Sequence, residues 1–138
     1  MTGDADHLPV REAMTPDPLV VDGLTAVSEA LRMMRERGIS SLVVERRHER
    51  DEYGIVLVSD IAREVVGQNR VPSRTQVYEV MAKPAPSLDA EMEVKYAIRL
   101  MHRLGLTHAL VLEGRRLAGI VTLRDLIVRF FGSRSGRA

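Results

Sequence analysis

Cysteine and tryptophan are both absent from this chain of 138 residues, and phenylalanine and tyrosine together supply only 4% of it. Without cysteine there is no disulfide, no thiolate nucleophile and no cysteine–zinc site. Charge of one sign is also lacking. Twenty Lys and Arg stand against 19 Asp and Glu, a formal net charge of +1, so bulk electrostatics draws the chain neither to nucleic acid nor to an anionic membrane. No apolar run approaches the roughly 20 residues needed to span a bilayer. The polar, acidic start, Met1 to His7, is the opposite of a signal peptide. These absences read as a cytoplasmic protein with no nucleic-acid or membrane partner. What is present is an apolar fraction of 45%, enough for a packed core.

The chain is written twice. Val10-Arg-Glu-Ala-Met14 matches Val77-Tyr-Glu-Val-Met81 at an offset of 67, which continues through Asp22/Asp89, Val27/Val94, Ala30/Ala97, Met34/Met101 and Gly38/Gly105. A charged run, Arg46 to Glu52, then stands against the shorter Glu113 to Arg116. Beyond it the offset becomes 65: Gly54/Gly119, Ile55/Ile120, Val56/Val121, Asp60/Asp125 and Gly67/Gly132. A polar turn tolerates such a length difference. A lone sixty-residue unit buries only about 60% of its unfolded-chain surface, so the two copies are expected to share a core.

Periodicity gives each copy the order β-α-β-β-α. Val10–Met14 reads as a short helix with Pro9 in its first turn, and Leu19–Val21 as a strand. A helix from Thr25 ends at Gly38. Leu42–Val44 and Gly54–Val58 read as a hairpin around a solvated charged turn, followed by a helix from about Ser59 to Val66. The second copy repeats this through Ser87–Leu88, Val94–Leu104, Ala109–Leu112, Leu117–Val121 and Thr122–Phe131. The expected organisation is a first repeat at 9–67, a linker at 68–76, a second repeat at 77–132 and a flexible tail at 133–138. Met33, Met34, Met92 and Met101 fall at core or interface positions.

This order, the Val-x-x-x-Met opening and the ending Gly119-Ile-Val-Thr122-Leu-Arg-Asp125 resemble the CBS domain, named after cystathionine β-synthase. The resemblance covers Pro9 to Phe131. It implies a stand-alone tandem pair of α/β (α+β) class, two repeats packed about a pseudo-twofold axis with two related clefts. It also implies regulation: an adenosine-containing ligand (AMP, ADP or ATP, or else S-adenosylmethionine or NAD) bound in a cleft, with the signal passed to an effector protein. Carried over position by position, Asp125 would hold ribose hydroxyls and Thr122 a phosphate, with Ser40 and Thr107 as further contacts. The stretch Thr15 to Val20 would wall the Asp125 cleft, while Ala85, Pro86 and Ser87 would wall a second cleft at Asp60 and Val56. Physical chemistry is compatible with these roles. A helix start offers N–H groups and a positive dipole end to phosphate, and a carboxylate can accept from two hydroxyls. Val20, Ile39 and Val121 could offer apolar walls and backbone groups to adenine, and Arg124 could steer phosphate.

Bland readings stand beside these. Thr122-x-x-Asp125 is also a helix cap, and for Arg63, which could steer phosphate too, as for Arg124, a solvated helix face is an equal reading. His108 reads as a structural histidine. The copies differ where it matters: Leu57 stands where Thr122 stands in the second copy, so the Asp60 cleft is expected to be the weaker. Ala82 likewise replaces Thr15. No nucleophile–base pair, Gly-rich phosphate loop or metal-ligand spacing is present, and the chain reads as no enzyme, with no cofactor beyond the nucleotide. Phe130 and Phe131 match Val65 and Val66, giving both repeats an apolar final helix, which in the family often serves a homodimer. A ligand-free dimerising scaffold is the alternative function.

Overall fold

Residues 7–135 are described here from a computed structural model. A 3-10 turn, Val10–Glu12, opens the chain, followed by β1 (Thr15–Pro16), β2 (Val20–Val21), α1 (Val27–Arg37), β3 (Ser41–Val44), β4 (Gly54–Leu57) and α2 (Val58–Glu64). The second half has a 3-10 turn at Val77–Glu79, then β5 (Ser87–Asp89), α3 (Val94–Leu104), β6 (His108–Glu113), β7 (Arg116–Thr122) and α4 (Leu123–Ser135). The class is mixed α/β, with two sheets and a β-α-β-β-α order in each half.

The helices follow from their stripes. In α1 the buried residues are Val27, Ala30 and Met34, and in α3 they are Val94, Ala97 and Met101, each set on one face. Both helices stop where a left-handed residue is required. Gly38 has φ 64° and Gly105 φ 67°, and the next N–H reaches back to Met34 or Met101 at 3.0 and 2.9 Å, closing the last turn. Helix α4 runs to Ser135, so the expected tail from 133 begins as helix; residues 136–138 lie outside the described residues.

The chain divides into two compact units, and these are not the two repeats. The first unit is Pro18–Ala85; the second joins the chain before Pro18 to the chain from Pro86. In the first unit β2 pairs parallel with β3, and β3 antiparallel with β4. In the second unit the sheet runs β1-β7-β6-β5, with β5 parallel to β6 and the other pairs antiparallel. Strand β1 belongs to the first repeat and β7 to the second: Thr15 lies opposite Ile120 and Pro16 opposite Gly119. The reciprocal contact in the first unit is a bridge between Ala82 and Ile55. The repeats therefore exchange their openings. Val10 is fully buried in a core with Leu88, Met101 and Leu126. Val77 and Val80 are buried with Val27, Met34 and Ile61. Sharing of cores between repeats was expected; the exchange was not, because periodicity identifies an apolar face without naming its partner.

The connecting residues 68–76 are ordered. They carry a 3-10 turn at Pro72–Arg74, and buried Thr75 donates its hydroxyl to the Val71 carbonyl at 2.9 Å while its own carbonyl accepts from Val27 N–H at 2.7 Å. The charged turn is not simply solvated either. Asp51 keeps a side-chain exposure of 10% and accepts from Lys83 Nζ at 2.7 Å, Arg47 N–H at 2.9 Å and Arg47 Nε at 3.3 Å. Arg46 stacks over Tyr53, 4.8 Å from the ring centre.

Candidate functional site

The best-defined corner of the second unit is where β7 passes into α4. Leu123 N–H donates to the Thr107 carbonyl at 2.9 Å, which ties the start of the helix to the start of β6. Thr122 lies opposite His108 in the ladder. Its hydroxyl accepts from Asp125 N–H at 3.0 Å, so Thr122 is a helix cap as well as a candidate phosphate contact. Among the described residues no backbone N–H donates to the Asp125 carboxylate. That side chain is 46% exposed, and its ionic neighbour is Arg124, itself 81% exposed, at 3.3 Å. Thr107 Oγ1 and His108 Nδ1 are hydrogen-bonded at 2.9 Å. Thr15 is exposed on β1 beside β7. The structure thus gathers Thr15, Thr107, Thr122, Arg124 and Asp125 at one end of one sheet. Pro86 and exposed Ser87 lie at the start of β5 in this same unit, where the Pro86 carbonyl accepts from Leu110 N–H at 2.8 Å.

The equivalent corner of the first unit is wired differently. The Ser40 carbonyl accepts from Val58 N–H at 2.9 Å, matching the Thr107 contact. Leu57 has no hydroxyl to cap the helix, so the acid does it: Leu57 N–H donates to Asp60 Oδ2 at 3.0 Å. The other oxygen of Asp60 accepts from Arg63 Nη2 at 2.8 Å, and the carboxylate is only 15% exposed. This hydrogen bond raises the Arg63 guanidinium above its ordinary value, with Glu64 adding to it. Asp60 is thereby committed to its own helix. Ile39 and Ser40 are exposed in this unit, and Val20 is half-buried opposite Val43. Val56 and Val121 are 0% and 1% exposed within the two hydrophobic clusters, so their side chains serve the cores and are not available to a ligand.

Sequence reasoning missed two features. One is a close approach: a Cβ on Gly119 would lie 2.6 Å from Met14 Sδ, and one on Gly54 would lie 2.6 Å from Met81 Sδ. The recurring Met and Gly of the repeats are thus contact partners in exchanged positions, a pattern legible only once the openings are known to swap. The other is a cavity in the first unit at the far end of β3, bordered by Val44, Leu24 and Tyr78. Among the described residues no group of three or more His, Cys, Asp or Glu could hold a metal ion, and no helix is long and apolar enough to cross a membrane.

The sequence model described as "CBS domain" matches residues 10–67 and again 77–132. The chain belongs to the CBS domain family. An uncharacterized protein of Methanopyrus kandleri is 34% identical over 119 residues, covering 85% of this chain and 57% of that relative; this CBS pair thus spans little more than half of that curated relative's length. Among solved structures, the hexameric CBS-CP12 protein from bloom-forming cyanobacteria is similar with a TM-score of 0.86 and 34% identity, covering 92% of this chain and 74% of that one. The CBS domain of a bacterial CNNM/CorC family Mg2+ transporter, solved in complex with ATP, shares the fold at a TM-score of 0.76 and 23% identity, over 95% of this chain and 92% of that one.

Proposed function

We propose that this CBS pair, a regulatory module by family, senses an adenosine-containing ligand through Asp125 and passes the signal to an effector protein. The ligand is AMP, ADP or ATP in the first instance, with S-adenosylmethionine and NAD as further members of the class. The observation that carries this reading is the contrast between the two aspartates. Asp125 has an outward carboxylate whose helix is capped by another residue, whereas Asp60 caps its own helix and pairs with Arg63. A carboxylate that is half exposed and not engaged by backbone donors can accept both hydroxyls of a ribose. Thr122, Thr107, Thr15 and Arg124, all of the same unit as Asp125, supply hydroxyls and one cation nearby. That a distant structural neighbour was solved with ATP supports the ligand class. Ligand binding shifts a regulatory equilibrium only by its differential affinity for the two states. A homodimer in the cytoplasm is the assembly proposed, built on the apolar final helix, where Val128 and Phe131 are 57% and 63% exposed.

Calorimetric titration with each of the five ligands tests the assignment. Asp125→Ala should weaken binding by about 1–3 kcal/mol, the range for removing a charged hydrogen-bond acceptor, while Asp60→Ala should leave it nearly unchanged. Equal affinity of wild type and Asp125→Ala refutes the site. Absence of any binding at millimolar ligand favours the second reading, a ligand-free interaction scaffold, which the internal commitment of Asp60 favours for the first unit.

A further inference from the structure

The two units carry equivalent backbones at the end of the sheet away from Asp60 and Asp125, and they use them differently. In the second unit Arg11 N–H donates to the Ala90 carbonyl at 3.0 Å; in the first unit Tyr78 N–H donates to the Gly23 carbonyl at the same distance. Asp89 caps Glu91 N–H at 2.8 Å, and Asp22 caps Leu24 N–H at 2.7 Å. On this shared frame the second unit places Arg11 against Glu91, with Nε 2.8 Å from the carboxylate. The first unit places Tyr78 and Leu24 there instead, and they remain 50% and 67% exposed. The longer β3–β4 turn stands beside them, and together they border a cavity of about 700 Å³ lined entirely by residues of the first unit.

We infer that this cavity is a second ligand site, for a small anion with a planar apolar body. The volume falls within the range of small-molecule pockets, about 300–1,000 Å³. Val44 and Met81 line it together with Leu24 and Tyr78, which gives an aromatic face, a flexible thioether and two aliphatic surfaces for a ring. The charges at its rim are unequal in availability. Of the two acids, Asp22 is held by Leu24 N–H, and Glu45 accepts from Arg46 N–H at 2.9 Å. Lys83 is tied to Asp51. Arg47, however, spends only Nε of its side chain, at 3.3 Å on Asp51, and is 79% exposed. Its terminal nitrogens keep the fork that matches a carboxylate or sulfonate. The site shares no residue with the proposed adenosine contacts and stands or falls independently of them.

The test uses 8-anilinonaphthalene-1-sulfonate as the anionic probe and N-phenyl-1-naphthylamine as its neutral counterpart. The anionic probe should bind saturably, one per chain, and shift the amide resonances of Gly23 and Leu24. The double variant Leu24→Glu/Tyr78→Arg imports the ion pair of the other unit at two exposed positions. It should weaken binding at least about tenfold, as expected when one apolar wall is lost. Arg47→Ala, a surface change that leaves the core intact, should weaken the sulfonate and leave the neutral probe unaffected. No binding, an affinity unchanged in the double variant, equal loss of both probes in Arg47→Ala, or shifts centred on Val128 and Phe131 would each overturn the inference.

Discussion

The sulfur of Met14 lies where a side chain on Gly119 would begin: a Cβ there would sit 2.6 Å from it and 2.7 Å from the Thr15 carbonyl oxygen. At Gly54 the Met81 sulfur is just as close, but the nearest backbone atom, the Ala82 carbonyl oxygen, is 3.4 Å away. A thioether can swing aside, whereas a paired strand cannot. Gly119→Ala should therefore destabilise by about 1–3 kcal/mol, the usual cost of overpacking, and Gly54→Ala by less. Urea unfolding of the two variants checks the order.

The two helix starts make opposite predictions for the two aspartates. Removing Asp60 leaves Leu57 N–H without its acceptor, so Asp60→Ala should cost about 1 kcal/mol, as loss of a cap does. Asp125→Ala removes no cap and should stay within about 0.5 kcal/mol of wild type. The cap there belongs to Thr122, and Thr122→Val should cost about 1 kcal/mol. Thermal unfolding of the three variants side by side distinguishes the roles.

Asp51 gives a pH dependence. The hydrogen bond from Lys83, followed by backbone N–H donation from Arg47, holds its carboxyl well below the ordinary value of 3.8. A depressed native value means the unfolded chain takes up the proton first. Stability from this group is then complete above the ordinary value and lost as pH falls through and below it. The advantage of wild type over Asp51→Asn should therefore shrink as pH falls from about 5 to about 2, followed by denaturant unfolding at each pH. An advantage constant across that range would exclude the ion pair as its source.

The exchange of openings predicts where damage appears. Val77 lies in the second repeat yet is buried among Val27, Ala30 and Met34 of the first. Val77→Ala should cost on the order of 2 kcal/mol through the cavity it leaves. Faster hydrogen exchange should appear first in α1, with α3 of its own repeat less affected. The reverse pattern would mean that each repeat supports itself.

How far these features could be read in advance depended on their range. Helix α3 was legible to the residue, because Val94, Ala97 and Met101 mark its face and Gly105 its end. The β-α-β-β-α order followed from similar local signals. Strand β1 was not legible as a strand: two exposed residues, one of them proline, carry no alternation, and it exists because β7 is there to pair with it. The difference between the Asp125 and Asp60 corners was half legible. Leu57 in place of Thr122 marked the first corner as different, but capping of Leu57 by Asp60 itself required coordinates. The Leu24–Tyr78 cavity was not legible, since its walls come from residues far apart in the chain and its opening reflects an ion pair that only the other unit makes.

Because each opening methionine rests on a glycine of the opposite copy, the two halves of this chain cannot drift independently. A larger side chain at position 54 meets the thioether of position 81, in the other half, and is eased where that residue yields or shrinks; at 119 the Thr15 carbonyl oxygen stands in the way as well, so a smaller residue at 14 relieves only part of the contact. Duplication supplied two like halves, but the exchange turned them into complements. Substitutions should therefore be inherited in cross-copy pairs, each joining an opening methionine to the glycine of the opposite copy.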